Sequence, residues 1–217
     1  MSNECKAGRS ELVQRTMAMA ETNTGNLIVF SGPSGAGKSS LVKQLLAHSN
    51  LPLELSVSAT TRPPRNDEED GVDYHFLSPE EFTSRRKAGD FLEFKEVFGC
   101  GDWYGTLRNA VTTGLNAGKS VILEIDVQGA LSVLEQMPDA ITIFIHPGSL
   151  EELERRLRKR GTDSEKSIRR RLEVAGEEMQ FISFYRHEVI NDSIDRAVSE
   201  IHGILTQSGV INKCSKN

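Results

Sequence analysis

The chain has 217 residues, 37% of them hydrophobic, which is enough for one sizeable core carrying inserted subdomains. Its net charge of −5 argues against general nucleic-acid binding but leaves room for local basic sites that hold a small anion. Cys5, Cys100 and Cys214 fit neither a disulfide framework nor a zinc pattern, the five histidines form no metal-ligand cluster, and no stretch approaches the ~20 apolar residues that span a bilayer; a soluble, cytoplasmic protein is expected.

Residues 1–24 are polar, lack the apolar stretch of a signal peptide and read as a disordered tail. The apolar run Leu27 to Phe30 then reads as an interior strand, and Gly32 to Ser39, GPSGAGKS, follows it at once. This fits GxxxxGK[ST], in which glycines let successive backbone N–H groups curl around phosphate oxygens, Lys38 reaches the β- and γ-phosphates and Ser39 faces magnesium. Leu41, Leu45 and Leu46 mark one face of the helix that such a loop must enter, so that helix N-terminal N–H groups point at the anion.

Leu53 to Val57 reads as a second strand running into SATTRPPR, Ser58 to Arg65. Pro63 and Pro64 stiffen that backbone, which would hold Arg62 and Arg65 as fixed donors. Alternation in Val72 to Leu77 predicts a half-buried strand. Ser78, Pro79, Glu80 and Glu81 then supply an N-cap, a proline at the first helical position and acids in the first turn of a helix ending near Gly89. Phe91 to Phe94 puts Glu93 in an aromatic strand, ahead of GCGDWYGT, Gly99 to Thr106. A mostly β subdomain over 58–105 fits this pattern.

The α/β rhythm resumes with a helix from Arg108 to Ala117 and a strand from Ser120 to Ile125 that ends at Asp126, a position suited to holding a carboxylate near magnesium and phosphates. After a helix and the strand Ile141 to Ile145, Leu150, Leu153 and Leu157 mark one helix face while Arg156 and Arg160 stand at i and i+4 on a neighbouring one. Gly161 to Ser164 is a short loop, and Ile168, Leu172, Ala175 and Met179 define a second helix bearing Arg169, Arg170 and Arg171. Together they read as a hairpin that can swing charge over a bound phosphate and exclude water. Val189 to Asp192 reads as the last strand, Ile194 to Leu205 as the closing helix, and Lys213 to Asn217 as a frayed end.

In combination and order, GPSGAGKSS, SVSATTRPPR, GVDYHF, FLEF, WYGT, ILEIDVQG, RRLRKRGT and VIND resemble the guanylate kinase family from about Asn26 to Leu205. The resemblance implies an α/β P-loop nucleoside monophosphate kinase fold: a parallel five-stranded core sheet flanked by helices over 25–57 and 106–217, an inserted GMP-binding subdomain over 58–105, and a small helical lid around 156–171. It implies transfer of the γ-phosphoryl of ATP to GMP with magnesium, directly and in line. ATP would be held by Gly32, Pro33, Ser34, Gly35, Ala36, Gly37, Lys38, Ser39 and Ser40, with Ser39 toward the magnesium. Ser58 and Glu93 are implied to recognise guanine, Arg62, Arg65, Tyr74 and Tyr104 to grip the GMP phosphate, Thr106 and Asp126 to lie at the nucleotide, and Lys38, Arg156, Arg160 and Arg171 to stabilise the transferring phosphoryl. One ionised carboxylate can accept from both N1–H and the 2-amino group of guanine, a pair adenine does not offer.

Two departures stand out. The segment before WYGT is longer than the usual GNYYGT form, with Trp103 in place of a tyrosine, and Glu124 stands where aspartate is frequent; Glu124 is left outside the expected site. Two other readings fit parts of the pattern, a non-catalytic guanylate-kinase-like module that binds proteins and a kinase for another small phosphorylated metabolite.

Overall fold

The computed structural model describes residues 24–97, 101–161 and 164–211, without the side chains of Val97 and Arg160. The expected tail before residue 24, the three cysteines and the chain end beyond residue 211 lie outside the described residues. Five strands, β1 (Leu27–Ser31), β2 (Leu53–Leu55), β7 (Ser120–Glu124), β8 (Ile141–His146) and β9 (His187–Ile190), form an all-parallel sheet in the order β2-β7-β1-β8-β9. Every residue of β1 and β8 is buried, as expected of central strands covered on both faces.

One face of this sheet, through Ile28, Phe30, Ile143 and Ile145, packs on α1 (Lys38–His48) and α7 (Ile194–Gln207), which contribute Leu41, Val42, Leu45, Ala197, Ile201 and Leu205. The other face, through Val29, Leu123 and Phe144, packs on α3 (Arg108–Asn116) and α4 (Val127–Gln136). Fully buried aliphatic and aromatic side chains of this kind contribute about 1.5–3 kcal/mol each. With β1 at the centre, the loop that follows it emerges at the C-terminal edge of the sheet, between neighbours β7 and β8.

A second sheet, in the order β4-β3-β6-β5, is built from β3 (Ala59–Thr60), β4 (His75–Phe76), β5 (Phe91–Val97) and β6 (Asp102–Leu107), with α2 (Pro79–Ala88) on one side. Its small core joins Ala59, Phe82 and Phe91, the two phenylalanines stacking at 4.4 Å. Ser78 caps α2 by accepting from the Glu81 N–H, and Gly89 ends it at φ 78°, as their residue types predict. The strand β6 runs on past residue 105, because Gly105 and Thr106 remain paired with Phe94 and Glu93.

The expected helical face of α1 needs a correction: Leu46 is exposed and Val42 takes its place in the core, as the 3.6-residue period places it beside Leu41 and Leu45. The strand expected over Val72 to Leu77 shrinks to β4. Val72 is 61% exposed in a turn whose N–H groups at Val72 and Asp73 both donate to the Glu69 carbonyl. Asp73 and Asp70 fix that turn further by accepting from the Glu69 and Phe76 N–H groups. Likewise β2 stops at Leu55, and β9 starts earlier than expected and stops at Ile190.

Two antiparallel helices, α5 (Leu150–Arg160) and α6 (Glu165–Glu178), form the expected hairpin, with Leu153, Leu157, Ile168 and Ala175 as its own apolar seam. Leu150, expected on the same face, is exposed at the helix start. A 3₁₀ segment, Met179–Phe184, returns the chain to β9.

Candidate active site

The loop after β1 turns on glycines. Gly32 has φ 129°, and a Cβ there would lie 2.1 Å from the Ile145 carbonyl oxygen, so only glycine lets the loop leave the sheet at this point. Gly37 has φ 89°, and a Cβ there would lie 2.5 Å from Asn191 Nδ2. That amide donates to the Ala36 carbonyl at 2.7 Å, so buried Asn191, just past β9, fixes the loop from outside.

Lys38, the first residue of α1, folds back over the loop, its Nζ donating to the carbonyls of Gly32 at 2.6 Å and Pro33 at 3.1 Å. Burial pushes its ammonium below the ordinary lysine range, while the charges of Glu124, Glu178 and Asp126 oppose that shift. Ser39 Oγ donates to Glu124 Oε1 at 2.6 Å, so the carboxylate at the end of β7 meets the loop hydroxyl. A hydroxyl and a carboxylate side by side are hard oxygen donors, a set that suits magnesium. Ser34 is exposed on the loop and Ser40 in the first turn of α1, while Pro33 and Ala36 of the loop are buried.

Facing this cradle, the second sheet brings three of the expected phosphate ligands together. Arg62 Nε donates to Tyr104 Oη at 3.0 Å, the Arg62 guanidinium lies 5.5 Å from the Tyr74 ring centroid, and the Tyr74 and Tyr104 rings meet edge to face at 5.7 Å. Burial raises the Tyr74 phenol above its ordinary range, so it stays a neutral donor. Arg62 is held by Glu68, both of whose carboxylate oxygens accept from Nη2 at 2.9 Å. Glu68 also accepts from the Arg65 N–H at 2.9 Å, and these bonds hold its carboxyl below the ordinary range. The Arg65 side chain is exposed, and Ser58 is half-buried between β2 and β3.

Glu93 lies deeper. The pairing of β5 with β6 slips between Phe91 and Glu93, a bulge that lets Phe91 join the subdomain core and Leu92 the main core, while Glu93 faces Thr106. Thr106 Oγ1 donates to Glu93 Oε1 at 2.6 Å. Burial pushes the Glu93 carboxyl up to about 7, with the Thr106 hydrogen bond working in the opposite direction. Asp126 caps α4, accepting from the Gly129 N–H at 2.8 Å, and also accepts from Lys95 Nζ at 2.7 Å.

The hairpin closes the third side. A Cβ on Gly35 would lie 2.9 Å from Leu157 Cδ2, so α5 rests its apolar face on the loop. Arg156 donates to Glu152 and, at 2.7 Å, to the Asn191 carbonyl; Arg171 Nη1 reaches Ser34 Oγ at 3.5 Å. The side chain of Arg160 lies outside the described residues.

Five residues with no place in the expected site line it: Glu68, Lys95, Glu124, Glu178 and Asn191. Glu178, at the end of α6, is raised by its burial and feels the charges of Lys38, Asp126 and Lys95. Glu124 carried a signal, an acid at the end of an apolar strand two residues before Asp126. The others read in sequence as an acidic turn, a lysine just past a strand, a charged helix end and a polar residue within the last strand.

A parallel sheet with a P-loop at its centre, a facing sheet that carries a cluster of arginine and two tyrosines as well as a buried carboxylate, and an arginine-bearing hairpin define a P-loop nucleoside monophosphate kinase. The family model described as guanylate kinase matches residues 24–208. The guanylate kinase of Rhodopirellula baltica is 60% identical over 194 residues, covering 89% of this chain and 93% of that protein. That of Clostridium perfringens strain SM101 is 49% identical over 186 residues, covering 85% and 84%. Among solved structures, guanylate kinase from Anaplasma phagocytophilum superimposes with a TM-score of 0.70 at 33% identity, covering 88% of this chain and 89% of that one. The chain belongs to the guanylate kinase family, the enzymes that phosphorylate GMP with ATP. Among the described residues no helix is long and apolar enough to cross a membrane.

Proposed function

We propose that the enzyme binds ATP on the loop from Gly32 to Ser40 and GMP on the second sheet, and that the γ-phosphoryl passes in line between them without a covalent enzyme intermediate. The observation that carries this reading is the pairing of buried Glu93 with Thr106 at the floor of a sheet whose rim carries Arg62, Tyr74 and Tyr104. Glu93, together with Ser58, reads the guanine edge, and an adenine there would leave a buried carboxylate unpaired. The phosphate of GMP is gripped by Arg62, Arg65, Tyr74 and Tyr104, with Thr106 and Asp126 lining the nucleotide.

The acceptor phosphate is already a nucleophile, so no dedicated general base is needed. Lys38, Arg156, Arg160 and Arg171 hold the donor phosphates and stabilise charge on the moving phosphoryl. Ser39, beside Glu124, would hold magnesium together with the nucleotide phosphates and water. Bound there, magnesium supplies neutralisation of charge on the β- and γ-phosphates. Closure of the α5–α6 hairpin keeps water from taking the phosphoryl.

ADP release with ATP and GMP tests the assignment. Turnover is expected, and Lys38→Met should lower it at least ~10²-fold without lowering the melting temperature. Folded wild-type protein without turnover would favour a non-catalytic binding module.

A further inference from the structure

Lys95 stands where the two halves of the site meet. It follows Glu93 by two residues on β5, so both side chains lie on the same face of the sheet, and its cross-strand partner is Tyr104 of the phosphate grip. Its Nζ donates to Asp126 Oδ2 at 2.7 Å, and the other oxygen of Asp126 is taken by the Gly129 N–H. Gly129 also marks how close the two carboxylates come. A Cβ there would lie 2.9 Å from Glu93 Oε2 and 3.4 Å from Asp126 Oδ1, so the two acids bracket one small residue at the start of α4. Two carboxylates so placed repel each other unless a cation stands beside them.

We propose that Lys95 is a positioning residue for guanine recognition: by pairing Asp126 it holds that carboxylate away from Glu93 and keeps Glu93 charged to accept hydrogen bonds from the guanine edge. This rests on the reading of Glu93 as the residue that contacts guanine. The charged and polar groups around Glu93 are accounted for by element: Thr106 on β6 donates to it, Asp126 on α4 opposes its charge, and Lys95 on its own strand supports that charge. Glu178, at the end of α6, faces Lys95, Lys38 and Asp126. Burial already brings the Glu93 carboxyl up to about 7, close to neutrality, so the loss of one favourable neighbour changes how much of it is ionised at working pH.

The competing explanation is that Lys95 merely ties the inserted sheet to the core through Asp126. The two separate in the pH dependence of kcat/KM for GMP, measured at saturating ATP on wild type, Lys95→Met, Lys95→Gln and Lys95→Arg, each checked by thermal melting. Loss of the charge should move the acid limb upward by roughly 0.5 pH unit or more. The KM for GMP should rise several-fold near pH 6.5 and converge on wild type above pH 8.5, while kcat changes little. Gln keeps a donor for Asp126 but no charge, so it should behave as Met does, and Arg should behave as wild type. A limb that stays in place, or rescue by Gln, would overturn the proposal in favour of the tie. Glu93→Gln in the same assay separates the two levels of inference. If it uses GMP as wild type does, the guanine reading itself fails; if it is impaired while the Lys95 variants keep the wild-type limb, only the role of Lys95 fails.

Discussion

Thr106 Oγ1 and Glu93 Oε1 lie 2.6 Å apart in the interior beside the start of α4, a hydroxyl donating to a carboxyl that is 9% exposed. This single bond anchors an acid that burial destabilises in its charged form. An acid that binds its proton more tightly when folded than when unfolded contributes most to stability below its unfolded pKa, and that contribution is lost as pH rises through the folded value of about 7.

Glu93→Gln should therefore stabilise the fold increasingly between about pH 5 and pH 8, by up to ~3 kcal/mol, because the amide keeps the acceptor for Thr106 and removes the buried charge. Melting temperatures across that range check this. A gain that does not grow with pH would mean that Glu93 does not titrate near neutrality.

Glu68 holds Arg62 through both carboxylate oxygens while also accepting from the Arg65 N–H. Removing it leaves the fork of Arg62 without its support, and the proposed grip on the GMP phosphate needs a fixed donor geometry. Glu68→Ala is expected to raise the KM for GMP about tenfold with a smaller effect on kcat, a loss typical of one charge-assisted hydrogen bond. Steady-state kinetics with GMP varied decides it, and a lowered KM would show that Glu68 competes with the substrate phosphate.

Asn191 supports the P-loop through the Ala36 carbonyl at 2.7 Å, and its own carbonyl receives Arg156. Asn191→Ala strands a buried acceptor, at a cost of about 1–3 kcal/mol. Thermal melting should fall by several degrees, and the KM for ATP should rise while that for GMP stays near wild type. Equal damage to both substrates would mean that the loss spreads beyond the loop.

The core was legible because its signals are local. The apolar run before GPSGAGKS, the serine and glycine at the ends of α2, and Leu153 and Leu157 of α5 each state their own structure within a few residues. The proposed grip of Arg62, Tyr74 and Tyr104 is implied by a resemblance spread from Arg62 to Tyr104, and the contacts among these residues form only across the second sheet. What was missed depends on local side-chain hydrogen bonds that hydropathy does not show, or on partners distant in the chain. Val72 alternates like a strand, yet Asp70 and Asp73 fold the segment into a turn by accepting backbone N–H groups. Lys95 and Glu178 look like ordinary polar positions, and Glu124 and Asn191 like polar residues of strand ends, until β5, β7, α6 and β9 converge beside Lys38. The bulge at Leu92 that lets the strand serve both cores has no glycine to announce it.

The proposed division of labour between a general phosphate cradle and a guanine-reading sheet is tested most directly by kcat/KM for GMP and AMP, measured with ATP on wild type and Glu93→Gln. The buried carboxylate should make wild type prefer GMP by ~10⁴ or more. The substitution should collapse that preference at least ~10²-fold, mainly by losing GMP. A preference that survives Glu93→Gln intact would contradict the assignment of guanine recognition to Glu93.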